Sequence, residues 1–170
     1  MFDIIIYLIL ILFLGTTAYA GISAAPWLPT LKREANTMVS LANIKPGDTI
    51  YDLGCGDGRL LVATKKMYPG CKVIGIEMSL FFVIISRINL WLNRLDGKII
   101  WGNLFKTDLK DADVVFVFLM PRIYSKLQNK LKKELKSGCR VIVNAWPIHG
   151  WEDKRVESNK KQEIIYVYKI

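Results

Sequence analysis

Three kinds of apolar run organise this chain. The first lies near the N-terminus, where residues 4–25 contain no charged side chain. Runs of the second kind are short and continuous, as expected of strands that are buried on both faces of a parallel sheet. Runs of the third kind place apolar residues at a helical period, which indicates helices that cover such a sheet. The succession of these runs predicts an α/β fold.

Turn-forming residues separate the runs and delimit the predicted elements. Strands are predicted over residues 48–53, 71–76, 98–101, 112–119 and 139–145. Helices are predicted over residues 31–43, 57–68, 79–93 and 121–136. Residues 154–157 and 163–169 are predicted to pair as a hairpin. Five β-α units followed by this hairpin make a doubly wound sheet with a C-terminal antiparallel hairpin.

The predicted helix over residues 79–93 is unusually apolar, and Ser79 stands at its N-cap position. We expect deep burial to account for this composition. Contact with a membrane or with a second subunit is the alternative.

The first predicted strand runs directly into a glycine-rich turn. Residues 49–60 read TIYDLGCGDGRL, with glycine at every second position from Gly54 to Gly58. Such glycines let the backbone turn sharply and approach a ligand, and the helix that follows presents its free N–H groups there. Glu77, after the second strand, could take both hydroxyls of a ribose. The pattern therefore predicts a nucleoside-cofactor site at the C-terminal edge of the sheet.

Two carboxylates beside the turn indicate which nucleoside cofactor fits. A dinucleotide site would read G-x-G-x-x-G and cradle a pyrophosphate. Here Asp52 ends the strand and Asp57 lies inside the turn, and both would repel a pyrophosphate. They suit the ammonium and sulfonium groups of S-adenosylmethionine, and the run resembles motif I of class I S-adenosylmethionine-dependent methyltransferases. A tight turn without a ligand is the plainer interpretation.

Three interpretations compete for residues 4–25. About 20 apolar residues cross a bilayer core, so we interpret residues 1–25 as a transmembrane anchor and residues 26–170 as the folded domain. A cleaved signal peptide is the second interpretation, because residues 18–20 read Ala-Tyr-Ala, although no Lys or Arg precedes the run. A buried core helix is the third, and a segment that is apolar on all sides disfavours it.

The charge is unevenly distributed. The net charge is +9, yet Asp3 is the only charged residue within residues 1–31. Because Lys32 and Arg33 follow the apolar segment, the positive-inside rule predicts a single-pass membrane protein with its catalytic domain in the cytoplasm. A basic domain favours anionic partners such as phospholipid head groups, nucleic acid or an acidic protein face, although solubility alone would also explain the charge.

The remaining chemistry-bearing residues are few. Cys55, Cys71 and Cys139 are widely spaced and form no C-x-x-C pair, so neither a zinc site nor a disulfide framework is indicated. Reduced thiols in the cytosol fit this pattern. The single histidine, His149, is interpreted as incidental.

Residues 25–170 resemble the small lysine methyltransferases that include the mitochondrial ATP synthase c-subunit lysine methyltransferase and its archaeal and bacterial relatives. The resemblance is carried by residues 25–30 (APWLPT), 51–60 (YDLGCGDGRL), 102–105 (GNLF), 111–121 (DADVVFVFLMP) and 130–138 (KLKKELKSG). It implies a Rossmann-like methyltransferase sheet, S-adenosylmethionine as cofactor, and a protein substrate whose target lysine can be membrane-embedded. Nucleic acid is a less favoured partner.

The resemblance also assigns cofactor-binding roles. The methionine end of the cofactor would be lined by Asp52, Gly54, Gly56 and Asp57, and Cys55 between them would also be cofactor-binding. Glu77 would hold the ribose hydroxyls. Asn103 stands where relatives usually carry Asp; its side-chain oxygen would accept from the adenine amine, with Leu104 stacking nearby. Pro26, Trp27 and Thr30 would fold over the cofactor as a lid.

Methyl transfer to an amine needs in-line geometry and a neutral nucleophile. An apolar slot lowers the pKa of a lysine amine from about 10.4 by disfavouring its ammonium form. Phe118, Met120 and Tyr124 would build such a slot near the end of the fourth strand. A plain core role is the alternative for Phe118 and Met120, and a surface helix position for Tyr124. No general base and no metal ligand are assigned.

Three functions remain open. The first is a membrane-anchored protein-lysine methyltransferase. The second is a methyltransferase that acts on a lipid, a quinone or RNA. The third is a non-catalytic protein that binds the cofactor.

Overall fold

The fold is built on one seven-stranded sheet, seen in a computed structural model that describes residues 2–23, 28–151, 154–157 and 164–170. The strands are β1 (Thr49–Leu53), β2 (Lys72–Glu77), β3 (Lys98–Trp101), β4 (Val114–Val117), β5 (Arg140–Asn144), β6 (Lys154–Glu157) and β7 (Ile164–Lys169). Their order across the sheet is β3-β2-β1-β4-β5-β7-β6. Strands β1 to β5 are parallel, and β7 runs antiparallel to both β5 and β6. The predicted Rossmann-like sheet with a C-terminal antiparallel hairpin is confirmed.

Five α-helices accompany the sheet in the part of the chain that the structure describes. They are α1 (Phe2–Ser23), α2 (Lys32–Leu41), α3 (Arg59–Met67), α4 (Leu80–Leu92) and α5 (Tyr124–Glu134), with a short 3-10 turn (Pro121–Ile123) before α5. The prediction of five β-α units is wrong, because no helix lies in residues 102–113 or in the described residues 145–151. Both connections form turns and bends instead.

Two apolar cores lie on opposite faces of the sheet. Alternation along β4 divides them, because Val115 and Val117 face one core while Val114 and Phe116 face the other. The first core includes α5 and the hairpin, and the second includes α2, α3 and α4. Strand β4 ends at Val117, earlier than predicted, so the residues after it leave the sheet at its C-terminal edge.

The expectation that the predicted helix over residues 79–93 is deeply buried is wrong. Val83, Ser86 and Leu90 of α4 are buried, but its opposite face exposes large apolar side chains to solvent. Ser79 does stand at the N-cap, yet its hydroxyl makes no capping hydrogen bond. Instead its Oγ lies 2.7 Å from Oγ1 of Thr17, so the side chain joins α4 to α1.

One face of α1 packs against the start of α4 and the 3-10 turn before α5. The Phe13 ring meets the Phe81 ring edge-on at 6.1 Å, and the Leu80 N–H donates to Thr16 Oγ1 at 3.3 Å. The Arg122 guanidinium donates to the Gly21 carbonyl at 2.7 Å. Among the described residues, Asp3–Ile22 is the stretch long and apolar enough to cross a bilayer, with 20 residues and a mean hydropathy of 2.2. The N-terminal helix predicted from the sequence is therefore present.

Candidate functional site

A cleft lies at the C-terminal ends of the parallel strands. Its volume is ≈ 1130 Å³, including the solvent at its opening. It sits where β1 is flanked by β2 on one side and β4 on the other, the point at which strand order reverses. Open α/β sheets bind ligands at this place. Asp52, Glu77 and Phe118, each at or just beyond the end of one of these strands, all line the cleft.

The glycine-rich turn forms the floor of the cleft. Gly54, Gly56 and Gly58 have φ values of 79°, 53° and 77°, a left-handed conformation that favours glycine. A Cβ on Gly58 would lie 2.9 Å from the Cβ of Ser86, because α4 packs directly on the turn. The Asn89 amide of α4 also donates to the Asp57 carbonyl at 2.8 Å. The turn is therefore held rigidly against α4 with its backbone open to the cleft.

The Asp52 carboxyl is buried at the base of the cleft, and it is 6% exposed. Among the described residues, no hydrogen-bond donor reaches its oxygens. Burial raises the pKa of Asp52 from 3.8 to about 8, and the neighbouring carboxylates of Glu77 and Asp57 add to the rise. A buried carboxyl without such a donor can bind a cationic group.

Cys55 lines the same cleft, but its thiol is held in the unreactive, protonated form. Burial raises the pKa of its thiol well above the ordinary value, and the nearby Asp52 carboxyl adds to the effect. The neutral thiol packs against the backbone where Gly75 lies, since a Cβ there would meet its Sγ at 2.6 Å. Cys55 is therefore part of the wall of the cleft.

The Glu77 carboxylate ties the glycine turn to the start of α4. One oxygen accepts the Gly56 N–H at 2.9 Å, and the other accepts the N–H groups of Met78 and Ser79, each at 2.8 Å. A carboxylate has about four lone-pair directions, so three are occupied by backbone. One remains for a ligand hydroxyl without displacing a backbone partner.

Asp57 is paired with a residue that sequence reasoning missed. Arg59 donates from Nε to both oxygens of Asp57 at 2.9 and 3.0 Å, and its Nη1 donates to the Thr30 carbonyl at 2.9 Å. The Arg59 guanidinium therefore joins the glycine turn to the segment over residues 28–30 at the cleft entrance. The spacing of Asp57 and Arg59 at a helix start was the available signal.

The entrance is built from two segments. Leu28, Pro29 and Thr30 line one side, and Thr17, Ala20 and Gly21 of α1 line another. Pro26 and Trp27, which were predicted to belong to the lid, lie outside the described residues. Sequence reasoning missed the α1 residues because it treated the N-terminal segment as a separate anchor.

The stretch after β3 contributes unevenly to the cleft. Gly102 and Leu104 belong to the described lining residues and Asn103 does not. The Asn103 side-chain oxygen accepts the Phe105 N–H at 2.8 Å, a local turn that short amide side chains favour. That oxygen is therefore engaged by backbone in this structure.

The opposite wall is aromatic and apolar. Phe118 and Met120 line the cleft, and the Phe118 ring stacks on Trp146 with centroids 6.1 Å apart. Trp146 was not predicted as a site residue, although it follows β5 at the same edge of the sheet. Tyr124 lies away from this wall, because it packs in the core beneath α5. Burial raises the pKa of Tyr124, so its phenol stays neutral.

Comparison with known proteins identifies the family of this chain. The family model described as the ANTKMT methyltransferase domain matches residues 52–155. The chain is 34% identical to a protein-lysine N-methyltransferase of Saccharolobus islandicus (strain REY15A) over 150 residues, which cover 85% of this chain and 93% of that protein. It is 30% identical to the adenine nucleotide translocase lysine N-methyltransferase of Mus musculus over 131 residues. That match covers 75% of this chain and 56% of the mouse protein, so the chain spans about half the length of this relative.

A solved structure shows a similar architecture. The RNA methyltransferase from Salinibacter ruber in complex with S-adenosyl-L-homocysteine superposes with a TM-score of 0.80 and 28% sequence identity. The likeness covers 84% of this chain and 94% of that chain.

Proposed function

Because this chain belongs to the family of ANTKMT methyltransferase domains and is an S-adenosylmethionine-dependent methyltransferase, we propose that it methylates the side-chain amine of a protein lysine. The observation that carries this proposal is the 34% identity to a protein-lysine N-methyltransferase over 93% of that protein. The cleft agrees with the proposal, because it combines a buried carboxyl with an apolar, aromatic wall.

The residues of the cleft fit S-adenosylmethionine. The Asp52 carboxyl would pair with the cationic methionine end, and Gly54 and Gly56 line the cleft beside it with left-handed backbone that brings no side chain into the cleft. Glu77 has one lone-pair direction for a ribose hydroxyl, and Gly102 and Leu104 would flank the adenine. Bound in this way, the cofactor supplies an electrophilic methyl group on its sulfonium.

Phe118, Met120 and Trp146 would receive the lysine. Their apolar surfaces disfavour an ammonium ion and so favour the neutral amine, whose ordinary pKa is about 10.4. The wall would hold this amine in line with the methyl group that S-adenosylmethionine would supply, so that the nitrogen would bond to the methyl carbon while the carbon–sulfur electron pair stays on sulfur and the surplus proton leaves to solvent. The residues of the wall would act by positioning the amine, and no general base is assigned.

We further propose that α1 anchors the protein as a single membrane span, with the domain over residues 26–170 in the cytoplasm. The length and hydropathy of Asp3–Ile22 support a span. Lys32 and Arg33, the first charged residues after it, support the cytoplasmic side for the domain. A protein lysine close to the membrane is then the favoured substrate.

RNA is the second candidate substrate. The Salinibacter ruber RNA methyltransferase has the same architecture at 28% identity, and the net charge of +9 would attract a phosphate backbone. Lipids and quinones are further alternatives that a membrane anchor would bring within reach.

Transfer of label from tritiated S-adenosylmethionine distinguishes these substrates. The full chain is incubated with the membrane fraction and the RNA of its own cells, and label is counted in protein, organic extract and RNA. Label in protein that is lost in Asp52→Ala and Glu77→Ala, but kept in Asp108→Ala, supports the proposal, because Asp108 is exposed and outside the cleft. Label only in the organic extract or in RNA overturns it, and no label with intact cofactor binding favours a non-catalytic protein.

A further inference from the structure

The outer face of α4 carries a continuous apolar stripe. Phe81, Ile84, Ile88 and Trp91 follow one another at intervals of three and four residues, so they lie on one side of the helix. Their exposed fractions are 44%, 39%, 43% and 75%. We call these four residues the outer stripe of α4. The opposite side of the helix packs in the core through Val83 and Leu90.

This stripe is continuous with α1. The Phe13 ring contacts the Phe81 ring at 6.1 Å, and Thr16 and Thr17 hold the start of α4 through hydrogen bonds. The two helices are antiparallel where they meet, since later residues of α1 contact earlier residues of α4. The apolar surface therefore passes from one helix to the other without a polar break at Phe81.

The length of α1 limits where the domain can lie. A span of 20 residues at 1.5 Å per residue is about 30 Å long, which only just matches the hydrocarbon core. The half that begins at Phe13 is docked on α4 and the cleft entrance. If α1 crosses the bilayer with these contacts intact, the half before Phe13 spans about one leaflet. The docked half, and the start of α4 with it, then lies in the other leaflet.

The surroundings of the stripe suit the boundary between lipid chains and head groups. Trp91 and Trp101 are exposed, and indole rings concentrate at this boundary. Arg94, three residues after Trp91, and Lys98, at the start of β3, are exposed cations that can reach lipid phosphates. Arg87, on the same side of α4, donates to the Ile99 carbonyl at 3.0 Å, so its guanidinium is turned toward β3.

We propose that the outer stripe of α4 is inserted in the cytoplasmic leaflet beside α1, so that the cleft opens at the membrane surface. This rests on the proposed anchoring by α1. A bilayer is favoured over a second copy of the chain, because two copies of net charge +9 repel each other while anionic lipid attracts each. Since α1 residues line the cleft entrance, target lysines at the membrane surface would meet the slot directly.

Lipid-bound quenchers test this arrangement on the full chain. Three variants, Leu12→Cys on α1, Ile88→Cys on the stripe and Lys132→Cys on α5, receive an environment-sensitive fluorophore. Lys132 is an exposed control on another helix, and the native thiols are buried. The proteins are reconstituted in phosphatidylcholine and phosphatidylglycerol vesicles with and without nitroxide-labelled lipid. The proposal predicts that the probes at 12 and 88 lose most of their emission to the nitroxide and that the probe at 132 keeps its emission.

Each other outcome overturns the inference in a recognisable way. Quenching of the probe at position 12 without quenching of the probe at position 88 means that α1 is anchored in the bilayer but the stripe is not inserted. The proposed function then stands. A blue-shifted but unquenched probe at 88 means that another protein surface covers the stripe. No quenching at 12 removes the anchor and the inference together, while the methyl-transfer assay still reports on the enzyme.

Discussion

The protonation of the Asp52 carboxyl is set by the residues around it. Its carboxyl is buried at the base of the cleft, no donor in the described part of the chain reaches it, and the carboxylates of Glu77 and Asp57 lie close by. Sequence reasoning placed Asp52 at the strand end, because strand and turn patterns are local. The absence of a partner for Asp52 could not be predicted, because it depends on Arg59 donating to Asp57 and on the nearby backbone N–H groups donating to Glu77.

The raised pKa of Asp52 predicts a pH-dependent stability. Folding raises this pKa from 3.8 to about 8, so between these pH values the folded chain keeps a proton that the unfolded chain releases. The contribution of Asp52 to stability is therefore full below pH 3.8 and is lost as pH rises through about 8. In thermal unfolding without cofactor, we expect the melting temperature of Asp52→Asn to exceed that of the wild type by a margin that grows from pH 6 to about 8 and then levels off. Parallel melting curves for the two proteins across this range would contradict the assigned state, and Asp108→Asn is the exposed control.

Arg59 is the residue that connects the cofactor site to its entrance. Arg59→Gln would release the Thr30 carbonyl and untie the segment over residues 28–30. We expect S-adenosylmethionine to dissociate about tenfold faster, which corresponds to about 1.4 kcal/mol. Stopped-flow displacement measures this rate, and Lys66→Gln on the exposed side of the same helix removes the same charge as a control. Equal dissociation rates in both variants would show that the Arg59 contact does not hold the cofactor.

At the scale of elements, the strands were predictable and their ends were not. The central strands are continuous apolar runs, which sequence patterns identify well. Strand β4 is shorter than predicted because Phe118 and Met120 turn into the cleft, and this is a tertiary effect. Helix α4 was misjudged for a similar reason, since composition does not tell a core from an apolar surface.

The glycine turn gives an element-scale prediction. Gly58→Ala would place a Cβ 2.9 Å from Ser86 Cβ at a φ of 77°, so both crowding and a left-handed backbone oppose it. We expect the free energy of unfolding to fall by about 1–3 kcal/mol in urea titrations. Gly70→Ala is the matched control, because its nearest neighbour would be 3.8 Å away and its φ is not left-handed. A loss no larger than that of the control would show that the turn can relax away from α4.

At the scale of the whole molecule, charge and apolar surface are arranged together. The basic residues follow the apolar N-terminal segment, and the cleft opens between α1 and the glycine turn. The sequence predicted a helix and a domain as separate parts. The packing of α1 at the cleft entrance could not be predicted, because the threonines that make the contact resemble ordinary residues of an apolar helix.

The most direct test of the central claim is to locate the transferred methyl group. The full chain is incubated with membranes and S-adenosylmethionine that carries a deuterated methyl group, and the labelled peptides are sequenced by mass spectrometry. The account predicts deuterated methyl groups on the side-chain nitrogen of a lysine, and none with Asp52→Ala. Label confined to lipid or RNA, or carried on a protein residue other than lysine, would contradict it.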